Sequence, residues 1–189
     1  MKKIILSILL VLLIITGCSN NKEVKETKKD KEELNGNSVV IYFSATGTTE
    51  KIAKRIAKES NSDIIEIIPK EEYKSEDLNY NSDCRANREQ NDDKARPEIK
   101  NEIDISKYDT IYLVYPIWWG TNPKIILTLL DTYDFTGKVI IPFCTSGSTD
   151  ISGSVSDLRN YNSKLDIKDG KRFSASDSDK VIKEFINNN

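Results

Sequence analysis

A cluster of hydroxyl side chains follows the apolar run at 38–43, in the order Ser44-Ala45-Thr46-Gly47-Thr48-Thr49. A helical pattern begins directly after it. Backbone N–H groups, hydroxyl donors and a positive helix end would therefore converge on a phosphate, and Gly47 would allow close approach to the backbone. The loop lacks the Lys of a Walker loop and the three glycines of a dinucleotide loop, which favours a terminal monophosphate. The alternative is a helix-capping turn without a ligand, for which one hydroxyl would suffice.

Both tryptophans of the chain lie in a second loop, which also follows an apolar strand pattern. Large aromatic side chains at a strand end are poorly covered by the protein, and stacking on a planar ring contributes about 0.5–1.5 kcal/mol per ring pair. We expect this loop to contact a flat ring system. The alternative is that the tryptophans only cover the end of the sheet. The candidate residues are Pro116, Ile117, Trp118, Trp119 and Gly120.

A third loop, from Cys144 to Asp150, is again rich in hydroxyl groups and follows a further strand pattern. It could present backbone and hydroxyl groups to the polar edge of the same ring through Thr145, Ser146, Gly147 and Ser148. Ligands of an open parallel sheet bind outside the carboxyl ends of its strands. We therefore expect the three loops to form one site.

The elements that would position these loops alternate between apolar strands and amphipathic helices. A continuous β-branched run at 38–43 predicts a strand buried on both faces, as in a parallel sheet. Further strands are predicted at 63–68, 110–115, 138–143 and, weakly, near Arg172, and helices at 50–60, 124–130, 152–160 and around 181–186. This alternation predicts an α/β fold with a parallel sheet of five strands.

The composition excludes several other kinds of site. None of the 189 residues is His, so the chain cannot form a Ser-His-Asp relay or an imidazole zinc site, and its three Cys cannot complete an all-cysteine zinc site. A net charge of −2 argues against a nucleic-acid partner. We predict no metal site and no catalytic side chain, which suits electron transfer better than hydrolysis.

The N-terminal segment has the features of an export signal. Lys2 and Lys3 precede an apolar run at 4–15, which at about 1.5 Å per residue is too short to cross a bilayer. The following Ile15-Thr16-Gly17-Cys18 resembles the lipobox of bacterial lipoproteins, which implies a signal peptide at 1–17 and a lipidated Cys18. The alternative is an ordinary secretory signal with an incidental Cys.

The segment that follows Cys18 is highly charged, with Lys and acidic residues in balance. Such a composition predicts a disordered tether over residues 18–37. The folded domain is then expected at 38–189, held by the lipid on the extracytoplasmic face of the cell membrane.

Together the three loops resemble those of the flavodoxin family, and the resemblance covers nearly all of residues 38–189. It implies a three-layer, doubly wound α/β fold with a five-stranded parallel sheet of order 2-1-3-4-5 and FMN at the carboxyl ends of the strands. Residues 116–120 and 145–148 resemble the two isoalloxazine loops, and the phosphate loop is matched by Ser44, Thr46, Gly47, Thr48 and Thr49. The second and third loops are similar to those of an exported lipoprotein branch, which commonly continues Ser-Gly-Gly-Ser-Gly where this chain has Ser148-Thr149-Asp150.

The resemblance implies an FMN-binding electron-transfer protein, or an FMN-dependent oxidoreductase of the quinone or NAD(P)H type. A quinone or another flavoprotein is the expected redox partner, and a net acidic domain should give a low reduction potential. One alternative is a lipoprotein that keeps the fold without flavin and binds a small ligand or a partner protein. Another is a scaffold whose tryptophans dock a protein.

A polar segment at 80–97 is similar to an insertion beside the flavin in the same branch. Its Arg85, Arg88 and Arg96 could hold an anionic group, but we favour a solvated helix with surface ion pairs. Cys84 and Cys144 could form a disulfide outside the cell, although a buried, unpaired Cys144 is the favoured interpretation.

Overall fold

The computed structural model describes residues 37–189, so the predicted signal peptide, Cys18 and almost all of the tether lie outside the described residues. The elements in chain order are β1 (Ser38–Tyr42), α1 (Thr48–Ser60), β2 (Asp63–Glu66), α2 (Arg85–Asn91), β3 (Thr110–Pro116), α3 (Lys124–Thr132), β4 (Val139–Thr145), α4 (Ser152–Tyr161), β5 (Asp166–Ile167), β6 (Lys171–Arg172) and α5 (Asp179–Ile186). No helix among residues 37–189 is both long and apolar enough to cross a bilayer.

The strands form one parallel sheet in the order β2-β1-β3-β4-β5, with β6 also pairing with β4. In the centre, β1 pairs in parallel with β2 on one side and with β3 on the other. The expected order 2-1-3-4-5 is therefore confirmed. The carboxyl ends of β1, β3 and β4, where the three loops begin, lie at the same edge of the sheet.

The fifth position of the sheet is divided into β5 and β6 instead of holding one continuous strand. Ile140 and Cys144 of β4 both accept backbone hydrogen bonds from this side. Because strand residues alternate in direction, Pro142 faces the same side and has no N–H to donate. The interruption lies opposite it, where a Cβ on Gly170 would be 2.4 Å from the Pro142 carbonyl oxygen. The proline and the glycine together account for the interruption between β5 and β6.

Alternate residues of the central strands pack into two separate apolar cores. Val39, Ile41 and Phe43 lie in the core that includes α3 and α4. Val40 and Tyr42 lie in the core that includes α1 and α5. The two-residue alternation of buried strands thus produces the predicted three layers, with helices on both faces of the sheet.

The long connection between β2 and β3 packs onto the first of these cores. Tyr73, Ala86 and Ile103 from this connection are buried in it. The two cysteines of the domain, Cys84 and Cys144, are also buried there, and both are free thiols. The Cys84 sulfur accepts the N–H of Asn87 and so caps α2.

Candidate functional site

The loops after β1, β3 and β4 meet around a cavity of about 540 Å³ at the carboxyl edge of the sheet. This volume falls in the range of about 300–1,000 Å³ that is typical of ligand pockets. Most of the predicted site residues line it, namely Thr46, Thr48, Thr49, Pro116, Ile117, Trp118, Thr145, Ser146 and Gly147. The structure therefore brings together the three loops that the sequence marked separately.

Five predicted site residues do not line the cavity. Ser44 and Gly47 stabilise the turn of the first loop, because the Ser44 Oγ accepts the Gly47 N–H at 3.1 Å. Trp119 and Gly120 form the tip of a turn in the second loop. Ser148 is exposed in the third loop.

The first loop leads into the N-terminus of α1, which lies at the cavity and has no side-chain cap. Gly47 precedes α1 with a φ of 80°, in the left-handed region that favours glycine, and makes no side-chain cap. The first N–H groups of a helix have no partner within the helix and carry partial positive charge. Thr46 and Thr48 are exposed beside them. This end of the cavity can bind an anion through N–H groups and hydroxyls.

A buried hydrogen bond joins the first loop to the third. The Oγ1 atoms of Thr49 and Thr145 lie 2.7 Å apart, and both residues are buried. The second loop is attached to the same point, since the N–H of Ile117 donates to the Thr145 carbonyl at 2.9 Å. Thr145 therefore connects all three loops.

The second loop contains a tight turn over Trp118–Thr121, whose end residues exchange two backbone hydrogen bonds of 2.9 and 3.0 Å. Its central residues Trp119 and Gly120 have φ values of 49° and 85°. Two consecutive positive φ values are typical of a type I′ turn. Such a conformation is unusual for a residue as bulky as Trp119, which is also 38% exposed.

The two tryptophans have different surroundings. Trp118 is 5% exposed, with its ring at 5.5 Å from that of Phe43 and 5.1 Å from that of Tyr73 in edge-on contacts. It covers the sheet end and also lines the cavity. Trp119 instead contacts the exposed ring of Tyr80 at a centroid distance of 4.4 Å.

Six further residues line the cavity that the sequence did not single out, namely Ala45, Leu78, Tyr80, Phe173, Ser174 and Ala175. The last three follow β6 directly, so the rule that placed the other loops at strand ends could have found them. Leu78 and Tyr80 come from the β2–β3 connection, where no periodic pattern marks them. Their position depends on how that connection packs.

The three arginines of the connection are engaged in ion pairs, and none of them lines the cavity. Arg85 contacts Glu89 at 2.6 Å, and Arg96 contacts Asp131 at 2.7 Å. Arg88 pairs with Asp83 at 3.2 Å. Arg85 and Arg96 therefore fix elements of the fold, as the interpretation with ion pairs expects. Within residues 37–189 no cluster of acidic or Cys side chains is arranged to hold a metal ion.

The third loop is organised by its own polar groups. The Ser146 Oγ donates to the Thr149 carbonyl at 2.5 Å, and the Asp150 carboxylate accepts the N–H of Ser152 at 2.8 Å. That contact holds the pKa of Asp150 below its usual value. Asp150 thus stabilises the start of α4. Burial raises the pKa of the neighbouring Cys144 thiol to about 12, so the thiol is unreactive at neutral pH.

Comparisons with known proteins agree with this architecture. A protein from Bacteroides eggerthii DSM 20697, assigned as a flavoprotein, is 36% identical with a TM-score of 0.78, over 80% of this chain and 96% of its own. One from Bacteroides uniformis ATCC 8492 is 37% identical with a TM-score of 0.77, over 80% of this chain and 97% of its own. A flavoprotein from Lactobacillus acidophilus NCFM, solved in complex with FMN, is 25% identical with a TM-score of 0.59, over 72% of this chain and 93% of its own.

The search of curated proteins gives no match. The family model described as Flavodoxin matches residues 37–189, which are the residues that form the sheet, its helices and the three loops. This protein therefore belongs to the flavodoxin family.

Proposed function

We propose that this protein binds FMN in the cavity between the three loops and acts as an electron-transfer protein. The observation that carries the proposal is that the cavity has a polar end and an apolar wall. One end offers hydroxyls and the uncapped N-terminus of α1, a helix of 13 residues, whereas Pro116, Ile117 and Trp118 supply an apolar wall. A ligand with an anionic phosphate and a flat apolar ring system matches both ends.

At the phosphate end, the fit rests on the donors of the first loop. The N–H groups of the first turn of α1 and the hydroxyls of Thr46 and Thr48 would hold the phosphate of FMN. The left-handed φ of Gly47, which favours glycine, sets the turn that leads into α1. Among residues 37–189 no basic side chain lines the cavity, so these residues would bind the phosphate through dipoles and hydrogen bonds.

At the ring end, the second loop would contact the isoalloxazine, and the third loop would offer backbone groups at Ser146 and Gly147 to its polar edge. FMN, when bound, supplies one- and two-electron redox chemistry. The protein's contribution is to orient the ring, to exclude water with Trp118 and to surround the ring with fixed dipoles. The thiol of Cys144 would stay protonated beneath the third loop, because its pKa is about 12.

We further propose that the domain is anchored by lipid on Cys18 at the extracytoplasmic face of the membrane, after removal of residues 1–17. In that location no pool of NAD(P)H is available. A membrane quinone or another flavoprotein would then be the redox partner. Metabolic labelling with a radioactive fatty acid tests the anchor, which is expected in the wild type and lost in Cys18→Ser. Labelling that persists in the variant would contradict it.

Titration with FMN tests the cofactor directly. The mature chain, residues 18–189 with Cys18→Ser to prevent lipidation, should quench flavin fluorescence at one equivalent with sub-micromolar affinity. Thr48→Val should weaken FMN binding while leaving riboflavin binding unchanged, because riboflavin lacks the phosphate. Absence of saturable flavin binding in a protein shown to be folded would contradict the proposal and favour a flavin-free lipoprotein that binds another ligand or a partner protein.

A further inference from the structure

The side chain of Gln90, near the end of α2, connects the β2–β3 segment to the second loop. Its Nε2 donates to the carbonyl oxygens of Trp118 at 3.3 Å and Asn122 at 3.2 Å. Its Oε1 accepts the N–H of Lys124 at 3.0 Å. One amide thus binds three backbone groups of the segment that joins β3 to α3.

The segment that Gln90 holds contains the strained part of the site. Trp119 has a φ of 49° in the turn over Trp118–Thr121. A bulky residue keeps such a conformation only where the surrounding structure enforces it. Gln90 contacts the backbone at the start of this turn and again just after it, so it restrains both ends.

Helix α2 is itself held against the second loop by other contacts, so the position of Gln90 on the helix is fixed. The Tyr73 hydroxyl donates to the Glu89 carboxylate at 2.5 Å, and Arg85 donates to the other oxygen of Glu89 at 2.6 Å. The Tyr73 ring packs edge-on against Trp118 at 5.1 Å. Glu89 is therefore connected to the side chain of Trp118 through Tyr73, while Gln90 binds the backbone of Trp118 directly.

We propose that Gln90 is a positioning residue of the flavin site. It fixes the main-chain conformation of the Trp118–Thr121 turn, and through it the affinity and the reduction potential of the cofactor. This inference rests on the proposed function for the identity of the ligand. The conformation of the turn itself does not depend on it.

The test compares Gln90→Met with the wild type in the mature chain carrying Cys18→Ser. Met has a similar length but cannot make the three hydrogen bonds. If the turn then holds its binding-competent conformation about a tenth of the time, the apparent dissociation constant rises about tenfold. We expect this loss for FMN and riboflavin alike, together with a shifted midpoint potential. Asn91→Ala, at the exposed neighbouring position of α2, should change neither.

Hydrogen exchange of the flavin-free proteins provides the second measurement. The amides of residues 118–122 and of Lys124 should exchange faster in Gln90→Met than in the wild type or Asn91→Ala. If Gln90→Met fails to fold, Gln90→Glu replaces it in the test. Glu keeps the acceptor for Lys124 but loses both donors, so the same amides should again exchange faster than in the wild type. Unchanged exchange, flavin affinity and midpoint potential in a folded variant would overturn the inference. If the wild type binds no flavin, the proposed function is refuted, and faster exchange in Gln90→Met then supports only the role of Gln90 in fixing the Trp118–Thr121 turn.

Discussion

The buried pair Thr49 and Thr145 predicts a thermodynamic cycle in which two destabilising substitutions largely cancel. Their hydroxyl oxygens are 2.7 Å apart, and the residues are 2% and 6% exposed. Replacing either Thr by Val keeps the shape but leaves the other hydroxyl buried without this partner. An unsatisfied buried hydroxyl costs about 1–3 kcal/mol, so each single variant should lose about that much free energy of unfolding.

The double variant removes both hydroxyls, so neither member of this pair is left without its partner. Replacing both members of a hydrogen-bonded pair by apolar groups of the same shape is nearly neutral. We therefore expect Thr49→Val/Thr145→Val to lie within about 1 kcal/mol of the wild type, although the two single losses would add to about 2–6 kcal/mol.

Urea unfolding of the flavin-free mature chain measures the free energy of unfolding of the wild type, the two single variants and the double variant. Thr110→Val provides a matched control, because the Thr110 hydroxyl is buried and has no hydrogen-bond partner among residues 37–189. This control should be neutral or stabilising. If the Thr49 and Thr145 effects add to within about 0.5 kcal/mol, the two hydroxyls are not coupled and the reasoning is refuted.

Three further predictions concern other parts of the fold. Gly170→Ala should lower the free energy of unfolding by about 1–3 kcal/mol through its clash with the Pro142 carbonyl, whereas Gly153→Ala, with 3.6 Å to the Gly120 oxygen, should not; equal urea midpoints would contradict this. Burial raises the pKa of Cys144 from 9.0 to about 12, so the unfolded chain releases this proton first, and stability should fall as the pH rises from about 9 to 12. Cys144→Ala should flatten that decline, and an unchanged slope would argue against it. Acrylamide should quench Trp118→Phe, which keeps the 38% exposed Trp119, more than Trp119→Phe, which keeps the 5% exposed Trp118; the reverse order would show that the two environments are misassigned.

The sequence predicted those parts of the fold that depend on local pattern. The β-branched run at 38–43 corresponds to β1, and the hydroxyl loop after it leads into α1 as expected. The division of the fifth strand was not predicted, because it arises from Gly170 lying against Pro142, residues that are distant in sequence. Single-residue contacts of this kind have no periodic signature.

The same distinction holds for the site. The loops after β1, β3 and β4 were identified because strand ends of a parallel sheet converge. Tyr80 and Gln90 lie in the polar segment at 80–97, which only the family resemblance placed beside the flavin, and neither side chain was singled out within it. Their contacts with Trp119 and with the backbone at Trp118 exist only once that connection has packed against the core.

The two tryptophans, for which a ligand contact and a cover over the sheet end were the two alternatives, lie in different surroundings. Trp118 is covered by Phe43 and Tyr73, so it belongs to the core even though it forms a wall of the cavity. Trp119 is exposed, and its backbone is held in a strained turn. An exposed side chain such as that of Trp119 adds little to the stability of the fold, and its strained backbone lowers that stability. Gln90 holds the backbone at the start of this strained turn and just after it, which is the arrangement expected if the turn serves the proposed flavin site.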